Sequence, residues 1–332
     1  MATGSLDLSK LADKLKENIA DYSVIFKLKQ SNGFKIKQDR LFTGFKIRDK
    51  VPLIRSSSDP MVQPGRTGST NFKGGVALAN REGVLRPFKV DLKLDEKQIY
   101  AWSKTYLARK TATDSSDIYS FPALNWYMGE VNTQIGKDVQ GAIYKGVYNA
   151  AGTSNVDITD GLDILFDKGI ATTGTGAVGD IPTANVVVSA ATINAGNILS
   201  EILKVAMAFF TGMDEPLEED AILVLDPLLY VYATQALDAQ LSNNSQILYR
   251  EGGKLKLSML PNVTVEPRSW LKGTSKIMMT LAGNLAVMGP EDDTEDVPSI
   301  QVEKADRAIK IFIDGEFGID YCDGRVLFMN DK

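Results

Sequence analysis

Histidine is absent from this 332-residue sequence, and cysteine occurs once, at Cys322. The absence of histidine excludes Ser–His and Cys–His nucleophile pairs and histidine-based metal sites. A lone cysteine cannot close a disulfide within the chain, and the first residues carry no apolar leader, so we expect synthesis in a reducing cytoplasm. No stretch approaches the roughly 20 apolar residues that span a bilayer, so we expect no membrane partner.

Glycine-rich and acidic stretches offer the few candidates for chemistry, and none of them fits its motif. Residues 174–179 spell the dinucleotide-binding pattern GxGxxG, but Asp180 and Pro182 follow where that motif requires the start of a helix. Residues 65–70 lack the Lys-Ser/Thr pair of a phosphate-binding loop. The acidic run at 291–296 lacks the glycine-centred spacing of a calcium loop, so we interpret it as an exposed acidic turn.

The remaining chemical candidates have equally plain structural interpretations. Asp157, Asp160 and Asp163 are also interpreted as an exposed acidic turn. Cys322 follows Tyr321 in a predicted strand, where it serves as a small buried apolar residue. We therefore predict no catalytic, cofactor-binding or metal-binding residue, no cofactor and no enzymatic activity. A carboxylate-dependent enzyme is the alternative that these patterns leave open.

The charge distribution argues against a protein whose main task is to bind nucleic acid. The chain has 37 basic and 42 acidic residues and a net charge of −5, whereas phosphate neutralisation usually requires a basic excess. One basic cluster lies near the N-terminus and comprises Lys27, Lys29, Lys35, Lys37, Arg40, Lys46, Arg48 and Lys50. We interpret it as a solvated or subunit-contacting arm, and we expect contact with DNA to be weak and non-specific.

The first hundred residues contain two segments that cannot bury their own apolar side chains. Apolar residues at helical spacing predict an amphipathic helix over residues 8–22, and apolar and basic residues then alternate as far as Ile47. Residues 55–83 are rich in turn formers and poor in apolar anchors. Phe88, Val90 and Leu92 then alternate with charged residues, as in a half-buried strand. A long excursion that returns on a strand predicts a projecting hairpin.

The rest of the chain predicts a mixture of helices and strands. A long helix is expected over residues 120–148, with Ser120 as its N-cap, and irregular structure over residues 150–182. A second helix is expected to begin at Thr192. Residues 222–225 form a short apolar run that predicts a buried strand. Asp226 and Pro227 then supply the cap and first turn of a helix that continues to Leu241.

The order of these elements carries a family resemblance over almost the whole chain. An N-terminal arm precedes the extended loop, the long helix and the mixed region, and a closing block pairs residues 261–263 with 284–289 before strands at 309–313 and 325–327. This order resembles the major capsid proteins of tailed bacteriophages, which have the Hong Kong 97-type fold. The resemblance implies an α+β chain with an N-terminal arm, an extended β-hairpin loop, a long spine helix, and peripheral and axial domains.

The resemblance also implies a division of the chain. Residues 1–50 would form the N-terminal arm and 51–95 the extended loop. Residues 96–185 would form the peripheral domain with the spine helix, 186–300 the axial domain, and 301–332 closing strands that return to the core. In this family the arm and the loop overlap neighbouring subunits. Some members crosslink a loop lysine to a neighbour's asparagine, and Lys73 is a possible counterpart here.

The implied function is that of a subunit that assembles into the icosahedral shell around phage double-stranded DNA. The implied partners are further copies of the chain in hexamers and pentamers, a portal, possible scaffolding or decoration proteins, and packaged DNA. The protein would be made in the host bacterial cytoplasm and reside in the virion. Two alternatives stay open at this point: an encapsulin-type nanocompartment shell protein and, less favoured, a phage tail subunit.

Overall fold

A computed structural model describes residues 39–58, 62, 74–98, 101, 122–174, 176–240, 247–290, 299–305 and 308–332. Its helices are α1 (Pro122–Lys145), α2 (Leu162–Ile170), α3 (Ile198–Gly212) and α4 (Pro227–Gln240). The strands of the N-terminal third are β1 (Phe42–Ile47), β2 (Lys50–Ser58), β3 (Val76–Val84) and β4 (Arg86–Asp95). The later strands are β5 (Val186–Val187), β6 (Ala221–Leu225), β7 (Leu248–Glu251), β8 (Lys254–Leu257), β9 (Thr264–Pro267), β10 (Ile277–Leu281), β11 (Leu285–Pro290), β12 (Ser299–Ala305), β13 (Ala308–Tyr321) and β14 (Phe328–Asn330). Helices and strands are thus mixed along the chain, and the α+β prediction is confirmed.

The strands form two large sheets and one hairpin. A five-stranded sheet has the order β1-β11-β13-β12, and β4 also pairs with β13. Strand β13 is long enough to serve both halves of this sheet, because residues 308–317 pair with β4 and residues 318–321 pair with β11. A seven-stranded sheet has the order β5-β14-β10-β6-β9-β8-β7. Strands β2 and β3 form an antiparallel pair of their own, which we call the hairpin.

The seven-stranded sheet separates two hydrophobic cores. Ile222 and Val224 of β6 face one core, with residues of α1, α2 and β13, whereas Leu223 and Leu225 face the other, with residues of α3 and α4. Alternate side chains of a strand point to opposite faces, so a strand buried on both faces is apolar throughout. This explains why residues 222–225 form an uninterrupted apolar run, and the predicted buried strand is confirmed.

Several other predicted elements are present. Strand β4 shows the alternating burial expected from Phe88, Val90 and Leu92. The long helix is present as α1, with 24 residues, while Ser120 lies outside the described residues and the spine role stays a prediction. Helix α4 begins after Asp226, whose Oδ1 accepts a hydrogen bond from the Leu228 amide at 2.5 Å. That side chain also accepts the Gly273 and Thr274 amides, so one buried carboxylate joins the helix to a neighbouring turn.

Two predictions about local structure were wrong. Residues 150–182 were expected to be irregular, but they contain α2, whose Leu162 and Phe166 are buried in the first core. Helix α3 begins at Ile198 and not at Thr192, because Asn194 and Asn197 bond to nearby backbone groups and form a turn there. Such local side-chain bonds compete with the helix.

The predicted closing block also needs correction. Residues 261–263 form a turn before β9 and do not pair with residues 284–289. The following strand β9 pairs with β6 and β8, whereas β11 pairs with β1 and β13, so the two strands lie in different sheets. Residues 324–326 form a short 3-10 helix and not a strand, and the last strand is β14. The predicted helix at residues 8–22 lies outside the described residues. The domain boundaries drawn from the sequence stay a prediction.

Candidate assembly surfaces

The hairpin has two chemically different faces. Its register places Ser56 opposite Leu78 and Ser58 opposite Val76, so Ile54, Leu78 and Val76 share one face. Those three side chains are 64%, 72% and 62% exposed, respectively. Leu53 pairs with Arg81 on the other face and is buried. We call these the outer and inner faces of the hairpin.

The base of the hairpin is held by a small hydrophobic cluster. Ile47, Leu85 and Met288 are buried together there, with Phe45 and Val51 partly buried against them. Gly83 lies so close to Met288 that a Cβ atom at residue 83 would stand 2.6 Å from its Sδ atom. The hairpin is therefore packed tightly where it leaves the body. Its outer face has no comparable cover among the residues that the structure describes.

A buried ionic cluster fixes the inner face to the body. The Arg81 guanidinium lies 2.6 Å from Asp320 Oδ1 and 3.7 Å from Asp180 Oδ2, and the three side chains are only 4–13% exposed. The same guanidinium stacks on the Tyr321 ring, with Cζ 3.3 Å from the ring centroid, and donates a hydrogen bond to the Tyr321 carbonyl. The Tyr321 hydroxyl donates to Asp180 Oδ1 at 2.5 Å. We call Arg81, Asp180, Asp320 and Tyr321 the Arg81 cluster.

Burial dominates the electrostatics of this cluster. It raises the pKa of Asp320 to about 6, an effect that Asp180 adds to and that Arg81, the Tyr321 amide and Lys168 oppose. Burial also raises the pKa of the Tyr321 hydroxyl, against the lowering effect of Arg81 and with the help of Asp180. Arg55 adds a further link, because its Nη1 donates to the Asp180 carbonyl at 3.2 Å. Arg55 and Arg81 of the hairpin therefore both contact Asp180.

A second ionic cluster holds the first described residues of the chain. Arg268 binds Asp39 through two hydrogen bonds of 2.5 and 2.7 Å and Glu266 through one of 2.7 Å. Burial tends to raise the pKa of Glu266, but Arg268, Thr264 and Lys254 outweigh it and hold the pKa below its ordinary value. Leu41 follows and is completely buried in the first core. The chain is thus tied to the body from Asp39 onward.

Helices α3 and α4 present further apolar side chains to solvent. Met207 and Phe210 lie one turn apart on α3, and Leu228 and Val231 lie one turn apart on α4. All four side chains are between 41% and 56% exposed. Residues three apart lie on the same side of a helix, so each helix exposes a short apolar stripe. We call these two stripes the helix surface.

The chemical candidates from the sequence have structural roles where they are described. Asp157 Oδ2 accepts the Ser154 amide, and Asp160 accepts the Tyr148 amide and pairs with Lys168. These aspartates are half-buried, so the predicted exposed turn was wrong. Residues 174–179, Thr175 apart, lie in a loop that follows α2 and leads to a short 3-10 helix, without the strand that a dinucleotide site requires.

Other candidates are placed only in part. Cys322 lies just after β13 and is half-buried, and burial raises the pKa of its thiol. Residues 65–70, Lys73, residues 291–296 and most of the N-terminal basic cluster lie outside the described residues. Within the described ranges, no group of three or more acidic or cysteine side chains is suited to hold a metal ion. No helix in those ranges is both long enough and apolar enough to cross a membrane.

Sequence reasoning did not identify the Arg81 cluster. Arg81 sits in an ordinary polar stretch, and its partners come from distant parts of the chain. One signal was available at Asp320, a carboxylate between the apolar residues Ile319 and Tyr321 near the end of a predicted apolar strand. A buried acid in such a strand requires a cation or a hydrogen-bond donor.

We expect Arg81→Ala to lower the free energy of unfolding by about 3 kcal/mol, because Asp180 and Asp320 would stay buried without their cation. Urea unfolding of the unassembled subunit measures this loss. Lys50→Ala is the matched control, since Lys50 pairs with Glu82 on the exposed part of the same hairpin and should change stability little. Equal stability of Arg81→Ala and the wild type would contradict the role of the cluster.

The raised pKa of Asp320 predicts a stability that falls as pH rises from 4 to about 6. In this range the folded state retains a proton that the unfolded state has released, so this contribution is complete below pH 4 and is lost above pH 6. Its size is roughly 3 kcal/mol. Unfolding measured across this range should show the fall in the wild type and in Asp238→Asn, an exposed control, but not in Asp320→Asn. An unchanged slope in Asp320→Asn would refute the assignment.

Three solved structures are similar to this chain over most of its length. A chain of the satellite phage P4 procapsid, a structure that includes the size determination protein, has 12% sequence identity and a TM-score of 0.53, and the match covers 92% of this chain and 98% of that chain. The capsid of Myoviridae phage XM1 gives 12% identity and a TM-score of 0.51, with 89% and 90% covered. The capsid of the native GTA particle gives 11% identity and a TM-score of 0.51, with 90% and 89% covered.

No family model matches the sequence, and no curated protein matches it either. At 11–12% sequence identity, the structural similarity establishes the fold and nothing finer. The expected fold is confirmed by matches that run along nearly the full length of phage capsid chains. This chain therefore has the α+β, Hong Kong 97-type fold of tailed-phage capsid proteins.

Proposed function

We propose that the protein is a major capsid protein, a structural subunit that assembles with copies of itself into the icosahedral shell around the double-stranded DNA of a tailed phage. The observation that carries this proposal is the outer face of the hairpin, where Ile54, Val76 and Leu78 stand largely exposed on a rigidly anchored two-stranded sheet. The capsid fold supplies the context, because the solved relatives are assembled shells.

Exposure of the apolar outer face to water is unfavourable in free energy. Complete burial of one Val, Leu or Ile side chain is worth about 1.5–3 kcal/mol. Three such side chains on one face, none covered by a described part of the chain, favour contact with another molecule. A shell of identical subunits supplies that contact, since each copy can lay its hairpin on the next. Obligate interfaces of this kind commonly bury about 2,000 Å² or more.

The helix surface supports contact on a second side of the subunit. Met207 and Phe210 on α3 and Leu228 and Val231 on α4 are apolar and exposed, and they lie in the region that the sequence assigned to the axial domain. In the proposed shell these side chains pack against neighbours within hexamers and pentamers. A subunit with apolar surfaces in two regions can join more than one neighbour, as a closed shell requires.

The remaining parts of the proposal follow from this role. The protein has no enzymatic activity, is made in the cytoplasm of the bacterial host and resides in the virion. Its further partners are a portal and, where present, scaffolding or decoration proteins. Packaged DNA is contacted without sequence preference, consistent with a net charge of −5.

Replacing Ile54, Val76 and Leu78 together by threonine should abolish shell assembly and leave the subunit folded. Threonine keeps the preference for a strand, shortens the Ile54 and Leu78 side chains, and places a hydroxyl group in each apolar contact, where burial is costly. Light scattering gives the particle mass, negative-stain microscopy gives its shape, and thermal unfolding of the unassembled subunit checks the fold. The control is Val188→Thr, which changes a side chain of 75% exposure outside the hairpin.

The wild type and the control should form closed shells of megadalton mass, either alone or with a co-expressed scaffolding protein. Helical tubes would instead identify a tail component. Shells filled with an enzyme cargo in place of DNA would identify a nanocompartment. Shells of normal yield from the triple variant would contradict the assembly role of the outer face.

We also expect the subunit to bind duplex DNA only weakly at physiological salt. A surplus of acidic residues leaves few phosphate contacts, so the dissociation constant should lie no lower than about 1 μM and should rise steeply with salt. Fluorescence anisotropy with two unrelated duplexes of equal length measures both affinity and sequence preference. Nanomolar binding, or a strong preference for one duplex, would contradict this expectation.

A further inference from the structure

One long edge of the five-stranded sheet has no neighbouring strand among the residues that the structure describes. Strand β4 has 10 residues, and all of them pair with β13 on one side of the strand. A groove of about 1300 Å³ adjoins residues 87–91. Side chains from both faces of β4 line it, including Val90 from one face and Asp91 from the other. The groove therefore follows the unpaired side of β4, which is open to a further strand.

An open edge of this length is a surface that folded proteins usually block. Its backbone N–H and C=O groups can pair with another chain, and proline, bulges or lysine side chains commonly prevent this. In β4 the proline is Pro87, near the start, and the register with β13 runs without a bulge. Lys89 and Lys93 are present, but Asp91 and Asp95 alternate with them and supply the opposite charge. Residues 88–95 therefore remain suited to pairing.

The two faces of β4 differ in chemistry. One face carries charges of alternating sign, at Lys89, Asp91, Lys93 and Asp95. The other face is apolar and is partly buried against the first core, at Phe88, Val90 and Leu92. The four charged side chains are 49–74% exposed, and their ion pairs of 3.0 Å join neighbours on the same strand. These side chains can therefore also meet charges on an adjacent strand.

The alternating charges of β4 are complementary to themselves in an antiparallel arrangement. Two copies of β4 can run antiparallel with Leu92 opposite Leu92 of the second copy. In that register Asp91 lies opposite Lys93 of the second copy. Lys89 likewise lies opposite Asp95 of the second copy. Two-fold symmetry repeats each pair, so every charge on this face meets an opposite charge directly across the strands, which is stabilising.

The charges also select this register over its neighbours. A register centred on Asp91 or on Lys93 places like charges opposite each other along the face, which is unfavourable. Registers centred on Val90 or on Leu94 keep opposite charges together but form half as many such pairs within β4. The register centred on Leu92 also places Val90 opposite Leu94 on the apolar face. It therefore satisfies both faces at once.

The opposite edge of this part of the sheet lacks the pattern. Strand β12 forms that edge and pairs with β13. Its charged residues, Glu303 and Lys304, are adjacent and so point to opposite faces. In a two-fold antiparallel pair, residues directly opposite each other lie on the same face, so Glu303 cannot lie opposite Lys304 of a second copy. The complementary pattern therefore belongs to β4.

We propose that two copies of this chain pair through β4, antiparallel about a two-fold axis beside Leu92, and so join their sheets into one. Backbone hydrogen bonds between the two edges supply affinity, and the alternating charges set register and direction. The contact is isologous, because the same strand serves both copies. It goes beyond the proposed function, since it requires neither a shell nor the outer face of the hairpin.

Disulfide formation between full-length subunits tests the register. The background is Cys322→Ser, which removes the one native cysteine. Leu92→Cys should give a disulfide dimer on mild oxidation, because directly opposite residues have Cα atoms about 4.5–5.5 Å apart, within reach of a disulfide. Val90→Cys and Leu94→Cys are matched controls, each about 13 Å from its own counterpart, and should stay monomeric.

Thermal unfolding checks that each cysteine variant is folded. Dimers of the controls in place of a Leu92→Cys dimer would refute the register. The absence of a dimer from any of the three variants would overturn the proposal as a whole.

Charge reversal tests the pairing of Asp91 with Lys93. In the Leu92→Cys background, Asp91→Lys and Lys93→Asp each place like charges across the strands, so the dimer yield of each alone should fall about tenfold. An equimolar mixture of the two should recover the yield as heterodimers, identified by intact mass, because opposite charges then face each other again. Asp238→Lys, an exposed change on α4, is the control and should not alter the yield.

Recovery in the mixture would also show that both variants are folded. Equal yields from all variants, or a mixture that yields no more dimer than its components, would contradict the charge pairing.

The outcome is separable from that of the proposed function. The disulfide experiments use unassembled subunits, and the wild type can be imaged for shells in parallel. A dimer specific to Leu92→Cys, without any shell formation by the wild type, would support the β4 contact and count against the capsid role. Shells of normal yield with no Leu92→Cys dimer would do the reverse.

Discussion

The contact between Arg81 and its buried partners is the constraint on which the use of the hairpin depends. A two-stranded sheet is only marginally stable by itself in water. Here β2 and β3 are stabilised because one guanidinium joins β3 to Asp180, to Asp320 and to the ring of Tyr321 at the end of β13. Each partner would be costly to bury alone, so the three segments are held together as one unit.

This anchoring explains how an apolar face can be presented to another molecule without collapsing onto its own subunit. The inner face of the hairpin is occupied by ionic contacts from Arg81 and Arg55. The outer face, with Ile54 and Leu78, is directed away from those contacts by the alternation of the strands. The ionic contacts of the inner face therefore determine the direction in which the apolar side chains of the outer face point.

Much of the fold could be predicted because several segments carry a local signal. The alternation around Phe88 and Val90 reflects a strand with one buried face, and the apolar run at 222–225 reflects a strand with two. Asp226 and Pro227 mark a helix start by chemistry that acts within one turn. Each of these signals is contained in fewer than a dozen residues, so no knowledge of tertiary contacts is needed.

The rest could not be predicted because its cause lies elsewhere in the chain. Helix α2 has only nine residues within a stretch rich in Gly, Thr and Asp, and its burial against the first core identifies it. The projecting hairpin was expected, but which of its faces is apolar depends on the register between residues 50–58 and 76–84. The Arg81 cluster joins Arg81 to Asp180, 99 positions later, and to Asp320, 239 positions later, and no local pattern encodes contacts at such separations.

The pairing of β13 with β4 and β11 has a consequence for protein synthesis. Strands β1 and β4 leave the ribosome early, but their partners β11 and β13 are made near the end. Asp320 and Tyr321, which hold Arg81, are the last two residues of β13. A nascent or prematurely terminated chain therefore lacks the contacts that direct its hairpin outward. Only a chain translated as far as Tyr321 acquires these contacts, so a product that stops before the end of β13 cannot hold its hairpin in this position.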